Sequence, residues 1–251
     1  MSENRKFSVL MSVYIKENPA FLKEAVESIL HQKLQPSEVV IVEDGPLTPE
    51  LYQVLEKLEA QSSIPIKRCP LVQNRGLGLA LQFGVLQCQY DVIARMDTDD
   101  IAVEDRFEQQ FELMEKENLD LLGGHIAEFI DQPDEIVSYR RVPIKHEDIV
   151  AYQRMRSAFN HMTVMFKRKM VLKAGNYEDG LYMEDDLLWL NMISAGARTG
   201  NVDQILCKVR VGAGMFERRG GLRYLKLYRQ ARKRMHARGQ ISYGEYLKSV
   251  L

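Results

Sequence analysis

Short apolar runs of strand character, each ending in a polar cluster and each followed by a helix, constrain this chain most. Phe7 to Val13 runs into Ser12–Tyr14; Glu38-Val39-Val40-Ile41-Val42 ends at Glu43-Asp44-Gly45-Pro46; Val92 to Met96 delivers Asp97-Thr98-Asp99-Asp100. Ile64 to Cys69 reads as a further short strand. Between them, Asn18-Pro19 supplies an N-cap and a first-turn proline for a helix whose Phe21, Leu22, Ala25, Val26, Ile29 and Leu30 recur at helical spacing. A second helix carries Leu51, Val54, Leu55 and Leu58, and Asn74-Arg75-Gly76 opens a third that runs to about Leu86. Strands that are apolar along their whole length, alternating with helices, predict an α/β protein with a mainly parallel sheet covered on both faces. Ligands bind such sheets beyond the carboxyl ends of the strands, where Ser12 to Tyr14, Glu43 to Gly45 and Asp97 to Asp100 converge.

The last of these clusters places three acids in four residues. Like charges at that spacing repel unless a cation or a hydrogen-bond donor lies between them. Carboxylate oxygens suit Mg²⁺ or Mn²⁺, hard ions that take few protein ligands and complete their shells with water and phosphate, so a phosphorylated ligand carried by the ion is one reading. The other is a solvated acidic turn capping the helix that follows.

At 251 residues, 45% hydrophobic and 27% charged, the chain has ample material for a large core. Cys69, Cys88 and Cys207 have neither paired nor metal-ligand spacing, which fits a reducing compartment. No apolar run approaches the ~20 residues of a membrane span, and Met1-Ser2-Glu3-Asn4-Arg5-Lys6 leads straight into a strand; the expected location is the cytoplasm. The formal charge of −1 conceals a split: from Glu217 to Leu251 ten Lys and Arg stand against two Glu, a net of +8, which leaves −9 on residues 1–216.

With its motifs in view the chain resembles the family 2 glycosyltransferases of the GT-A fold, over roughly Phe7 to Ala197. The resemblance is carried by Phe7-Ser8-Val9-Leu10-Met11-Ser12-Val13-Tyr14, by Val42-Glu43-Asp44-Gly45, and by Asn74-Arg75-Gly76-Leu77 with Ala80 and Gly84. Met96-Asp97-Thr98-Asp99-Asp100 and Met183-Glu184-Asp185-Asp186-Leu187-Leu188-Trp189 complete it. The chain departs from the family at Glu43-Asp44-Gly45-Pro46, where two Asp followed by Gly or Ser and then Ser are usual. It is most similar to the small bacterial enzymes that build capsule, exopolysaccharide or O-antigen units. The resemblance implies a Rossmann-like, mainly parallel sheet with flanking helices, here with a C-terminal basic helical extension. Residues 1–216 would form the nucleotide-sugar-binding and catalytic domain and 217–251 the extension. It also implies an inverting, metal-dependent transfer of a hexose from a nucleotide sugar, UDP-linked, to a glycan or lipid-linked oligosaccharide.

Carried over residue by residue, Asp44 matches the position that holds uracil, with Ser12 and Tyr14 alongside; its plain alternative is an Asx-type turn before Gly45. Arg75 offers a planar fork for phosphate or base oxygens, or is a first-turn surface residue. Asp97 and Asp100 would contact ribose or sugar hydroxyls and Asp99 the Mg²⁺ or Mn²⁺, with Asp99 and Asp100 both open as the direct ligand. Asp185 would be the catalytic base, whereas Glu184-Asp185-Asp186 in a helix's first turn also complements the helix dipole. Gly175, Gly180 and Tyr182 would shape an acceptor loop ahead of that helix. His161 falls where related enzymes often carry an active-site histidine, and equally reads as a structural histidine at a strand start. Lys167-Arg168-Lys169 reads as a solvated helix start and Trp189 as a core anchor.

In the extension, Tyr224, Leu225, Tyr228, Ala231 and Met235 form one stripe among Arg and Lys. Such a helix can lie on an anionic membrane surface or dock on the acidic domain. Arg218 and Arg219 before Gly220-Gly221 would alternatively close over the donor diphosphate. Nucleic acid is not expected as a partner, because the rest of the chain is acidic and no recognised motif interleaves the basic residues. Other readings are a polyprenyl-phosphate sugar synthase and a catalytically inactive nucleotide- and membrane-binding partner. Tyr14-Ile15-Lys16-Glu17-Asn18-Pro19 is no glycine-rich phosphate loop, which argues against a sugar nucleotidyltransferase.

Overall fold

The computed structural model describes residues 5–179, 183–212 and 221–250. Its first half alternates as read: β1 (Phe7–Val13), α1 (Pro19–Leu30), β2 (Glu38–Glu43), α2 (Pro49–Gln61), β3 (Ile66–Pro70), α3 (Leu77–Gln87) and β4 (Val92–Arg95). The Asn18 side chain accepts from the Ala20 N–H at 2.8 Å with Pro19 in the first turn, so α1 starts at the expected cap. Pairing is parallel throughout this half, in the order β3-β2-β1-β4. The chain winds outward from β1 to β3 and returns to the far side of β1 for β4. That reversal opens a crevice between the carboxyl ends of β1 and β4, where Ser12, Tyr14 and Asp97 lie.

The second half departs from the simple alternation. It comprises β5 (Ile101–Ala102), α4 (Arg106–Glu117), β6 (Leu121–Phe129), β7 (Ile136–Arg140), α5 (His146–Gln153), β8 (Met165–Lys167), α6 (Arg168–Lys173), α7 (Glu184–Ser194) and β9 (Thr199–Arg210). The sheet continues β4-β8-β6-β9-β5, with β7 beside β6. β8 is antiparallel to β4 and β6, whereas β6 and β9 pair in parallel. Two C-terminal helices follow, α8 (Gly221–Ala237) and α9 (Tyr243–Val250). The boundary expected between 216 and 217 lies outside the described residues, as do Gly180, Tyr182, Arg218 and Arg219. No helix among the described residues is long and apolar enough to cross a membrane.

Because side chains alternate across a strand, β1 feeds two cores. Phe7, Val9, Met11 and Val13 pack with α1, α2 and α4. Leu10 turns the other way to join Val40, Val42, Leu81, Val85 and Trp189 on the α3 and α7 side. α3 lies so close to the sheet that a Cβ on Gly84 would come within 2.4 Å of Leu10 Cδ1 and 2.9 Å of Val42 Cγ2. Gly84→Val should therefore destabilise the fold by about 1–3 kcal/mol, read as a lower urea midpoint with the slope unchanged. An unchanged midpoint would mean that α3 does not sit at this distance from the sheet.

Candidate active site

β4 carries an apolar strand directly into the acid cluster, and one charged residue interrupts it first. Arg95 is 1% exposed and ion-pairs with Asp97. Beneath it the equally buried Arg106 donates to the Arg95 carbonyl at 2.7 Å and to Gln110 Oε1 at 3.0 Å, while Gln110 donates to the Thr163 carbonyl at 2.8 Å. The strand end is thus fixed from below by a hydrogen-bonded polar stack, as a buried charge requires.

Asp97, Asp99 and Asp100 each offer a carboxylate oxygen, and those oxygens lie within 4.8 Å of one another. Asp97 is held by Arg95, and Asp100, 2% exposed, accepts from the Arg210 N–H at 3.0 Å. Among the described residues Asp99 accepts only from its own backbone N–H, and it remains half-buried. Burial, then the charges of Asp97 and Glu17, push its carboxyl up to about 7. Asp100 is raised too, by burial first and then by Asp99 and Asp97. A divalent cation would remove the penalty of crowding these charges, and an all-carboxylate donor set fits Mg²⁺ or Mn²⁺. Thr98 is turned away, donating its hydroxyl to Glu17 Oε2 at 2.5 Å.

Beyond β1, at the end of β2, Asp44 is 4% exposed, and both its carboxylate oxygens are engaged by backbone: Oδ1 accepts from Arg75 N at 2.7 Å and Oδ2 from Gly76 N at 3.0 Å. Asn74 returns a hydrogen bond from its side-chain amide to the Asp44 carbonyl at 3.1 Å. Gly45, at φ +88°, lets the turn after β2 approach the loop that enters α3, since a Cβ there would meet Asn74 N at 2.6 Å. Asp44 therefore ties the end of β2 to the loop that enters α3, a long-range tie rather than a local Asx-type turn, with one lone pair of each oxygen still unused. Arg75 projects from that loop, exposed and without an ion-pair partner among the described residues. Ser12 and Tyr14 are half-buried at the end of β1.

The second acidic group opens α7. Its three carboxylates differ: Asp186 is 9% exposed and accepts from Gln153 Nε2 at 2.6 Å, a structural contact, whereas Glu184 and Asp185 stay half-buried. Asp185 Oδ1 accepts from the Asp186 N–H at 2.9 Å. Burial, then Asp186 and Glu184, push the Asp185 carboxyl up to about 8, opposed by Arg95. Burial first, then the charges of Asp186 and Asp97, raise the Glu184 carboxyl, and Arg95 opposes the shift there as well. The buried Arg95 guanidinium thus acts electrostatically on both acidic groups. Behind them Trp189, fully buried as expected, packs against His161, Tyr177, Phe159 and Phe166. His161 lies in a single 3₁₀ turn before β8, and its Nε2 pairs with the Tyr177 hydroxyl at 2.9 Å. Burial, then Arg95, lowers its pKa well below the ordinary histidine value, so the ring is neutral.

Sequence reasoning named the carboxylates but missed Arg95, Arg106 and Tyr177. The signal for Arg95 was present: a charged residue inside an otherwise apolar strand, immediately ahead of acids, is buried only with a partner.

The family model described as "Glycosyl transferase family 2" matches residues 8–175, from β1 to the turn after α6. The amylovoran biosynthesis glycosyltransferase AmsE of Erwinia amylovora is 41% identical over 221 residues, 88% of this chain and 82% of that protein. The UDP-Gal:alpha-D-GlcNAc-diphosphoundecaprenol beta-1,3-galactosyltransferase of Escherichia coli is 35% identical over 247 residues, 98% of this chain and 89% of that one. Among solved structures, the mannosyltransferase PcManGT of Pyrobaculum calidifontis, in complex with GDP-Man and Mn²⁺, superposes with a TM-score of 0.70 at 15% identity, covering 97% of this chain and 67% of that chain. A match that takes in β1, the Asp44 turn, the entry to α3 and the acids after β4, together with relatives that continue through α7, leaves one assignment: the chain is a glycosyltransferase of the GT-A fold and belongs to glycosyl transferase family 2.

Proposed function

We propose that the chain transfers a hexose from a UDP-sugar, with inversion, to a hydroxyl of a lipid-diphosphate-linked glycan in surface polysaccharide biosynthesis. The observation that carries this reading is the presence of two acidic groups, Asp97-Asp99-Asp100 and Glu184-Asp185, both acted on by the charge of the buried Arg95. One group suits the donor diphosphate and its cation; the other suits a proton transfer. The E. coli relative, matched over nearly the whole chain, bears UDP-Gal and a diphosphoundecaprenol-linked sugar in its name, and AmsE bears amylovoran biosynthesis in its own.

In this reading Asp185 takes the proton of the acceptor hydroxyl as its oxygen bonds to the anomeric carbon and the bond from that carbon to the diphosphate oxygen breaks. A carboxyl poised near neutral pH by burial is suited to that task. One in-line displacement inverts the anomeric centre. Asp99, the carboxylate least engaged by the protein, would ligate Mg²⁺ or Mn²⁺, with Asp97 and Asp100 completing the cluster or meeting ribose and sugar hydroxyls. The ion, when bound, neutralises charge on the diphosphate. Ser12, Tyr14 and the remaining lone pairs of Asp44 are assigned to the nucleoside and Arg75 to phosphate or base oxygens.

Incubating the purified chain with Mn²⁺, a panel of UDP-sugars and GDP-mannose, and a soluble short-chain analogue of a GlcNAc-diphospholipid tests the reading. A disaccharide product from one UDP-hexose and none from GDP-mannose is expected. Transfer to a polyprenyl monophosphate instead would replace this assignment by a polyprenyl-phosphate sugar synthase. UDP binding without turnover of any donor would make the chain an inactive partner.

A further inference from the structure

The C-terminal helices present two unlike faces. On the inner face of α8, Met235, with Ile241 beyond it, packs on Leu187 and Leu190 of α7. The cations of this face have protein partners: Arg234 bonds Glu178 at 3.2 Å, Arg238 bonds it at 2.5 and 3.0 Å, and Arg232, 3% exposed, bonds Ser249 Oγ at 2.9 Å and the Arg154 carbonyl. Arg232 and Arg234 are therefore committed to protein partners.

The outer face differs in kind. Leu222, Leu225, Lys226, Arg229 and Lys233, with Tyr246 of α9, line a shallow groove of about 300 Å³. Leu222 is 86% and Leu225 38% exposed. Lys226, Arg229 and Lys233 are exposed, and none has a carboxylate within ion-pair distance among the described residues; Arg229 reaches only the Val250 carbonyl, at 3.1 Å. Residues 1–216 carry −9, so cations that served only to dock the helix would turn inward, as Arg234 and Arg238 do. These point away, and they do so beside exposed leucines.

We propose that the outer face of α8 docks on an anionic phospholipid surface, with Leu222 and Leu225 in the interfacial layer and Lys226, Arg229 and Lys233 on lipid phosphates. Positions 222, 226, 229 and 233 follow helical spacing along one side, which suits a helix lying flat. Because the inner face is anchored on α7, whose first turn carries Asp185, membrane contact would hold the acceptor side near a lipid-linked glycan. That consequence rests on the proposed function; the lipid contact does not.

The test is co-sedimentation of the full chain with vesicles of phosphatidylcholine alone or mixed with phosphatidylglycerol, alongside the soluble-acceptor assay. The wild type should pellet with the mixed vesicles only, and salt should release it. Replacing Lys226, Arg229 and Lys233 with Gln should weaken vesicle binding by about 10²-fold, the combined effect of three basic residues at such a surface, with turnover of the soluble acceptor unchanged. Leu222→Ser with Leu225→Ser should also weaken binding to the mixed vesicles at low salt. Equal pelleting with both vesicle types, or equal pelleting of the wild type and the triple variant, would overturn the proposal. So would a loss of soluble-acceptor turnover in step with the charges, since the outer face would then brace the domain. A chain that binds vesicles but turns over no donor would sink the enzymatic reading and leave the lipid surface standing.

Discussion

Asp185→Asn lowers kcat by about 10²-fold or more while the donor's affinity stays nearly constant, the expected signature of a group that acts in the transition state rather than in ground-state binding. Asn preserves the shape and still accepts the Asp186 N–H through its oxygen, but it cannot take a proton. The pH profile should change with it. The wild-type rate rises with pH as the Asp185 carboxyl, pushed up to about 8 in the free protein, ionises. A bound cation or the acceptor's own contacts move that limb downward, and in Asp185→Asn the limb disappears. Equal losses of donor affinity and of rate would make Asp185 a donor-binding or structural residue instead.

The same substitution should stabilise the protein. A carboxyl raised in the folded state above its ordinary value of 3.8 makes folding less favourable as pH climbs from about 4, where the unfolded chain ionises, to about 8, where the folded one does. Asn carries no such penalty, so the stability gain should be largest at pH 8 and above and vanish near pH 4. At pH 8 a rise in Tm of at least about 2–4 °C, equivalent to ~1 kcal/mol for a chain of this size, is the measurable outcome. A more stable and far slower enzyme is what a functional rather than structural burial of Asp185 entails.

How much of this was legible in the sequence follows from which interactions are local. β1 to β4 could be read because caps such as Asn18-Pro19 and uninterrupted apolar runs act within a few residues. β5 and β8 could not, since two and three residues hold no periodicity and exist as strands only through their pairing with β9 and with β4 and β6. The carboxylates stood out at Asp97 to Asp100 and at Glu184 to Asp186, but their division of labour did not. That Asp186 belongs to Gln153, and that both oxygens of Asp44 are held by Arg75 and Gly76, are facts of tertiary contact. The tail's basic character was plain, yet its stripe divides: Ala231 and Met235 are buried, while Leu225 is exposed. Helical spacing alone does not say which side of a helix its partner will take.

Asp99→Ala should abolish transfer, a loss of about 10³-fold or more, and remove the part of UDP binding that depends on Mg²⁺ or Mn²⁺. The reasoning rests on charge. Asp97, Asp99 and Asp100 crowd their oxygens within 4.8 Å, and a diphosphate brought to that cluster alone would meet only like charge apart from Arg95. Asp97 and Asp100 are already held by Arg95 and the Arg210 N–H, so in the proposed site Asp99 would be the ligand whose removal the others cannot replace. The substitution also has a sign in the absence of metal: deleting one of the mutually repelling acids should leave the protein at least as stable as the wild type. Adding Mn²⁺ should then raise the Tm of the wild type and barely move that of the variant, because only a form that binds the ion gains from it. Full turnover by chelator-treated wild type, or an equal Mn²⁺-induced Tm shift in both proteins, would show that the cluster holds no catalytic ion, and the donor diphosphate would have to be held by cationic side chains such as Arg75 alone.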